Sequence, residues 1–290
     1  MAPVYPAPSV SSPESPPFAE ACDTHTHIFG PFDHFPTPQK STYAMPDAPA
    51  NVHGQALKAM GVANGVLIQP GPYGTDPGAM LDAIASSGGH LKGVAAADPS
   101  MEEGELRAWA DGGIVGLRFV DMRLPDGRPR PGVAGFDQLA ELLPAMKANG
   151  MFAELWGTTS QIVDALPHLL DHEIPLVIEH MAMIDTRLPI TNSNFTDLLT
   201  LLNNPLVWMK LVLCRVAGDS IERVRPFHEA IIDVAPDRCL WGSDWPYVNL
   251  DPAPDAASML DVLERWVANE GVRHQILVDN PHRLFGFAKC

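Results

Sequence analysis

Ala21-Cys22-Asp23-Thr24-His25-Thr26-His27-Ile28-Phe29 is a short run, apolar at both ends, that carries two histidines and has no glycine-rich turn behind it. A doubly wound open sheet, the main alternative for a first strand, would favour a phosphate-binding glycine loop at this point. The run instead begins a rhythm that continues along the chain: a short apolar run, a Gly/Pro/Asp break, then a longer amphipathic stretch. Seven further runs follow, at 65–70, 92–98, 114–120, 152–156, 175–180, 207–212 and 239–244. Helical patterns lie between and after them, at 51–60, 78–87, 102–110, 136–149, 160–170, 194–202, 221–234 and 256–269. In one of these, Leu139, Leu142, Leu143 and Met146 share a single helix face. Strands apolar along their length that alternate with helices imply a parallel sheet covered on its outside. Eight such units predict an α/β fold of the (β/α)8 TIM-barrel type, with one catalytic domain over residues 20–290.

Composition narrows the function. The 290 residues carry 19 basic and 35 acidic side chains, a net charge of −16 that leaves no broad basic surface for nucleic acid or anionic lipid. No stretch approaches the ~20 uninterrupted apolar residues of a membrane span. Cys22, Cys214, Cys239 and Cys290 are far apart and lack CxxC spacing, so they read as free thiols of a cytoplasmic protein. Residues 1–20 hold six prolines and four serines, no Lys or Arg and no apolar segment of the signal-peptide kind. Residues 1–19 are therefore expected to be a disordered or extended tail. The expected assembly is a monomer or small homo-oligomer.

Catalytic groups of a barrel come from the C-terminal ends of its strands. There the sequence places His25 and His27 on strand 1, Arg118 on strand 4, Glu154 and Trp156 on strand 5, Glu179-His180 on strand 6, Lys210 on strand 7 and Asp244 on strand 8. Residues i and i+2 of a strand share a face, so both imidazoles of the HxH pair point into the mouth. Asp244 also precedes Trp-Pro, where it would serve equally as a helix cap. Among the other histidines, His34 and His53 follow strand 1 and are the ones most open to a role at the site. Arg118, Arg123, Arg128 and Arg130 cluster after strand 4 in a chain poor in basic residues, and Arg215 follows strand 7. Guanidinium groups hold carboxylates in two-pronged pairs, which points to a small anionic substrate contacted by Arg118, Arg123, Lys210, Arg215, Glu154 and Trp156.

Asp23-Thr-His25-Thr-His27-Ile-Phe-Gly-Pro, Ile178-Glu-His180-Met, Trp241-Gly-Ser-Asp244-Trp-Pro and Asn280-Pro-His-Arg-Leu-Phe together resemble the amidohydrolase superfamily. Within it the chain is most similar to the branch of 2-pyrone-4,6-dicarboxylate lactonases and related lactone hydrolases, over residues 20–287. The resemblance implies a (β/α)8 barrel and a hydrolytic water activated by Asp244, with His25, His27 and His180 in the family's remaining active-site positions. Arg118 matches a substrate-binding arginine of that branch, and Arg123 matches another after a one-residue shift. Where the pyrone lactonases have a tyrosine on strand 5, this chain has Glu154-Leu-Trp156.

The expected reaction is ring opening of a small carboxylated lactone by direct attack of water. Asp244 acts as base, and His25, His27 and His180 polarise the carbonyl. No GxSxG elbow or suitably placed cysteine offers a covalent nucleophile. Catalysis without a metal is favoured; if one divalent cation such as Zn2+ is bound, His25, His27, His180 and Asp244 are its ligands. The alternative on the same scaffold is a lactone isomerase or a metal-dependent decarboxylase of aromatic acids.

Overall fold

The computed structural model describes every residue except 1–2, 39–40, 42, 97, 125, 129, 131–132 and 289–290. Cys290 and Ala97 of the third apolar run lie outside the described residues. Ten strands form in chain order: β1 (Val4–Pro6), β2 (Cys22–Thr26), β3 (Met45–Asp47), β4 (Asn64–Ile68), β5 (Leu91–Ala96), β6 (Ile114–Val120), β7 (Phe152–Trp156), β8 (Leu176–Ile178), β9 (Val207–Leu211) and β10 (Cys239–Trp241). Eight of them make one parallel sheet in the order β10-β9-β8-β7-β6-β5-β4-β2. The helices α1 (Ala50–Met60), α2 (Gly78–Ser86), α3 (Glu103–Asp111), α4 (Leu139–Ala148), α5 (Thr159–Leu169), α6 (Ser193–Leu201), α7 (Arg225–Val234) and α8 (Ala256–Trp266) alternate with those strands. This is the (β/α)8 barrel that the apolar rhythm predicts.

The sheet closes between β2 and β10 through individual hydrogen bonds at the mouth. The Asp244 N–H donates to the His25 carbonyl at 2.8 Å, the His27 N–H to the Trp245 carbonyl at 2.9 Å, and Thr24 Oγ1 to the Trp241 carbonyl at 2.8 Å. The seam of the barrel is therefore also the place where the HxH pair meets Asp244. Closure demands close approach: a Cβ on Gly242 would sit 2.6 Å from His25 Cβ, so only glycine fits between these two chain ends.

Side-chain alternation then sorts the interior into levels. On β7, Phe152 packs in an apolar plug with Trp208 and Leu240, Glu154 lies above it, and Trp156 reaches the mouth. In a final helical stretch (α9, Glu270–His274; α10, Asn280–Phe285), Phe285 at the end of α10 and Phe287 just beyond it join that plug, with Phe285 edge-on to Phe152 at 5.6 Å. Between helices and sheet lies the larger apolar core, where Leu139, Leu142 and Met146 of α4 are buried as their spacing requires.

Two features lie outside the eight strand–helix units. The N-terminal segment contributes β1, which pairs in parallel with β3 (Val4↔Met45, Tyr5↔Pro46, Pro6↔Asp47). The C-terminal residues 270–285 are helical, beyond the last amphipathic pattern seen in the sequence. Cys22 and Cys239 are buried free thiols, and Cys214 is a partly buried one. Among the described residues no helix is long and apolar enough to cross a membrane.

Candidate active site

His25, His27, His180 and Asp244 meet at the strand ends. The Nε2 atoms of His27, His25 and His180 lie 3.2, 3.7 and 3.8 Å from one oxygen, Asp244 Oδ1. The other carboxylate oxygen, Oδ2, accepts from Arg215 Nε, and Arg215 Nη1 donates to the Val248 carbonyl at 2.8 Å. Burial alone would raise the Asp244 carboxyl. The Arg215 guanidinium, then the His180 and His27 imidazoles beside it, override it and hold the group well below the usual carboxylate range.

The far nitrogens of the imidazoles face acceptors. His27 Nδ1 is 2.7 Å from the Ile68 carbonyl, which can only accept, so that nitrogen carries the hydrogen. His180 Nδ1 lies 3.2 Å from Glu179 Oε2, and His25 Nδ1 lies 3.8 Å from Glu154 Oε1. In that tautomer Nε2 presents a lone pair to the Asp244 carboxylate. Two acceptors facing each other at 3.2 Å require a proton or a cation between them.

That need tests whether the residues suit a metal. A tetrahedral ion with ~2.0–2.1 Å bonds keeps its ligand atoms about 3.4 Å apart, which falls within the 3.2–3.8 Å spread of these contacts. Both nitrogens of His25 are buried without a hydrogen bond among the described residues. His25, His27 and Asp244 form one set of potential ligands within 4.8 Å, and His25, Glu179 and His180 form another. Of the two sets, His25, His27 and Asp244 are the one that suits a divalent cation beside the Asp244 carboxylate.

Two buried ion pairs support the imidazoles from behind. Glu179 receives Arg118 Nε and Nη2, each at 2.6 Å. Burial pushes the Glu179 carboxyl up, yet the Arg118 charge and His180 bring it well below its ordinary range. Lys210 Nζ lies 2.6 Å from Glu154 Oε2, and neither side chain has any exposed surface. Burial and then Glu179 push the Glu154 carboxyl up, and the Lys210 ammonium 2.6 Å away opposes the rise. His25 is held well below its ordinary value by burial and then by the Lys210 and His180 charges, so its imidazole stays neutral. For His180, burial acts downward, and hydrogen bonds to Asp244 and Glu179 outweigh it to give a net rise.

Beneath the HxH pair, Asp23 Oδ1 accepts from the Ser243 N–H at 3.0 Å and the His25 N–H at 3.2 Å, fastening β2 to the Asp244 loop. Burial lifts this carboxyl to about 6 against those hydrogen bonds. His180 opens a four-residue run with φ of 48–55° (His180, Met181, Ala182, Met183), a left-handed turn that non-glycine residues rarely adopt. It brings both His180 and Met183 to the cavity.

A cavity of about 320 Å³ sits on this cluster, lined by His27, His180 and Asp244 below and by Tyr43, Trp156, Arg118, Arg130 and Arg215 around it. The Trp156 ring carries the Arg118 and Arg130 guanidiniums, each centred 4.8 Å from it. Of the residues expected to contact substrate, Arg118, Arg215 and Trp156 reach this cavity. Glu154 and Lys210 do not: they lie in the level below, each neutralising the other. Arg123 is exposed, donates from Nη1 to the Gly127 carbonyl at 3.2 Å and is not among the lining residues. His53 faces away, with Nε2 2.9 Å from Thr26 Oγ1, and His34 pairs with Asp33 at the surface. Tyr43, in a connection without a motif, carries no signal in the sequence. Arg130 is visible there only as one member of a basic cluster.

A parallel barrel with histidines at the ends of β2 and β8 and an aspartate after β10 is the hydrolase barrel that the motifs imply. The amidohydrolase family profile matches residues 22–287, and the chain belongs to that family. It is 34% identical over 278 residues to the 4-sulfomuconolactone hydrolase of Rhizobium radiobacter, covering 92% of this chain and 90% of that one. It is 32% identical over 298 residues to the 2-pyrone-4,6-dicarboxylate hydrolase of Comamonas testosteroni, covering 95% and 94%. A probable 2-pyrone-4,6-dicarboxylic acid hydrolase from Acinetobacter baumannii, solved with citric acid bound, superposes with a TM-score of 0.79 at 26% identity, covering 92% of this chain and all of that one.

Proposed function

We propose that this protein hydrolyses a small anionic lactone, carboxylated or sulfonated, by direct attack of water with Asp244 as general base. The observation that carries the reading is the convergence of three imidazole nitrogens on Asp244 Oδ1 beneath a cavity ringed by three arginines. The relatives named above, which act on lactones bearing sulfonate or carboxylate groups, support the same class.

Asp244 is ionised at any physiological pH, because Arg215 and the histidines hold its proton affinity low. It can take the proton of an attacking water and, being a weak base, give it up readily to the departing ring oxygen. His25 and His27 would hold the cation together with Asp244, and when bound it would act as a Lewis acid at the lactone carbonyl. Sequence alone favours a reaction without metal; the facing acceptors, which take a proton or a cation between them, together with the His25, His27 and Asp244 ligand set support a bound divalent ion. Glu179 and Glu154 keep the imidazoles oriented from behind. Arg130, with no hydrogen bond to its buried Nε among the described residues, and the remaining donor of Arg215 would take the anionic substituents.

A proton-release assay over carboxylated and sulfonated lactones, their methyl esters and neutral lactones tests the reading. Ring opening of the anionic members is expected, with Asp244→Asn slowing it at least ~100-fold. Loss of activity on dialysis against a chelator, with return on adding Zn2+, is expected for the bound-cation form. If only neutral lactones turn over, the anionic substrate class is wrong.

A further inference from the structure

Tyr43 and Ser41 line the cavity from a segment that belongs to no barrel unit. Described backbone bonds fasten this segment in two places. At its end, Ala48 and Phe29 exchange N–H···O bonds of 2.8 and 3.1 Å. In its middle it pairs with β1, and the Met45 N–H donates to the Pro3 carbonyl at 2.9 Å. From β1 the chain runs on to the Asp244 loop. The Pro8 carbonyl accepts from Nε1 of Trp245, the residue after Asp244, at 3.1 Å. Ser11 N–H donates to Asp255 Oδ1 at 3.2 Å, and Glu14 N–H to Asp261 Oδ1 at 2.8 Å. Residues 3–14 thus run from the Tyr43 segment, past the Asp244 loop, to α8. The Tyr43 hydroxyl lies within the fields of Arg118, Arg130 and Arg215, and Tyr5 lies within that of Arg215. A proline-rich strand of this kind loses less entropy on docking than a flexible one, because its φ angles are already restricted.

We propose that residues 3–8 form a specificity-determining strap: by pairing with Met45–Asp47 and holding Trp245, they position Tyr43 against the arginine-lined cavity and so set how tightly an anionic substrate is bound. The proposal rests on the lactone-hydrolase reading of that cavity. A strap of this kind acts on substrate grip and leaves the His25/His27/His180/Asp244 cluster in place. Its signature is therefore a rise in KM with kcat preserved. A tail that merely covers apolar surface would instead lower stability and affect charged and neutral substrates alike.

The test uses two variants of the full enzyme. One lacks residues 2–9; the other keeps the chain length but loosens the strand with Val4→Gly, Tyr5→Gly and Pro6→Gly, which protects the experiment if the deletion does not fold. For the anionic lactone turned over by wild type, KM is expected to rise at least tenfold in both, with kcat within threefold. A synthetic peptide of residues 1–10 added to the deletion variant should lower KM again. Calorimetric binding of isophthalate, a planar dicarboxylate without a lactone ring, gives a readout independent of turnover and should weaken at least tenfold. If wild type binds isophthalate but opens no anionic lactone, the proposed function fails, and the strap is judged on the isophthalate affinities alone. KM and isophthalate affinity within twofold of wild type in the variants would overturn the strap, as would equal losses for a lactone acid and its methyl ester. So would a wild type that binds no isophthalate and opens no anionic lactone.

Discussion

Arg118 and Glu179 form a two-pronged salt bridge inside the barrel, Nε to Oε1 and Nη2 to Oε2, both at 2.6 Å, with the carboxylate wholly buried. The two strands that supply them, β6 and β8, are not neighbours; β7 runs between, so the pair spans the top of the barrel. The planar fork that would suit a substrate carboxylate is thus already engaged, and only Nη1 stays outside that pair, 3.4 Å from the Gln69 carbonyl. Arg118 is principally the counter-ion that lets Glu179 orient His180.

This relationship separates two arginines that look alike in the sequence. Arg118→Met leaves Glu179 buried and unpaired, and loss of one partner of such a pair costs about 3–5 kcal/mol. A large drop in unfolding free energy is expected, with acid and methyl-ester substrates affected equally. Arg130→Met is expected to leave stability nearly unchanged and to raise KM for the acid alone, roughly ten- to hundredfold for one charged hydrogen bond. Urea titrations and paired acid/ester kinetics on both variants check this. Equal behaviour of the two arginines would contradict it.

How far the site was legible follows from the same geometry. β6 and β7 match their sequence-derived limits at Ile114–Val120 and Phe152–Trp156, because each is an apolar run with clear breaks on both sides. β10 ends at Trp241, three residues before the predicted end, because the chain leaves the ladder there to bond with β2. His25, His27, His180 and Asp244 were readable since strand ends in a barrel all face one mouth. Their supporting pairs were not, because Arg118–Glu179 and Lys210–Glu154 depend on the order and tilt of strands around the sheet. The β1–β3 pairing was invisible for a related reason: Val4-Tyr5-Pro6 is half exposed, and only its partner makes it a strand.

Gly242 offers a test of the seam. A Cβ there would meet His25 Cβ at 2.6 Å and the His25 nitrogen at 3.0 Å, and neither belongs to a flexible side-chain tip. Gly242→Ala must therefore displace the end of β2 or the Asp244 loop. Overpacking of this kind costs ~1–3 kcal/mol, and misplacing a reacting group by ~1 Å costs about 100-fold in rate. The expected outcome is a folded protein with a lower Tm and kcat reduced about 100-fold. Activity within threefold of wild type would show that the seam yields without moving His25.

Acid should destabilise the protein through a histidine remote from the site. His228 on α7 is buried beside Trp266 with neither ring nitrogen hydrogen-bonded among the described residues, and burial lowers it to about 3. The unfolded chain takes up this proton near pH 6.5, whereas the native state resists until about pH 3. Across that window the unfolded state binds more protons, so stability falls as pH falls. Between pH 7 and pH 5 the loss from this group is about 2 kcal/mol. His228→Leu should flatten the pH dependence of urea unfolding by roughly that amount; an unchanged slope would place the acid lability elsewhere.

Lys210 and Glu154 allow structure and orientation to be separated. Both side chains are wholly buried with 2.6 Å between Nζ and Oε2, and Glu154 Oε1 is the carboxylate oxygen facing His25 Nδ1. Lys210→Met strands a carboxylate, and Glu154→Gln strands an ammonium, so each single change should cost about 3–5 kcal/mol. Making both changes removes the two charges together at nearly constant volume. The double variant should therefore recover most of the lost stability, giving a coupling energy well above the ~0.5 kcal/mol expected of independent sites. Activity should not recover in parallel, because His25 has lost the charge that orients its imidazole. We expect kcat to remain at least tenfold low, in line with the ~10–100-fold effects of removing groups behind metal-binding histidines. Recovery of kcat together with stability would mean that the pair only fills the barrel, and that His25 is held by its neighbours on the strand.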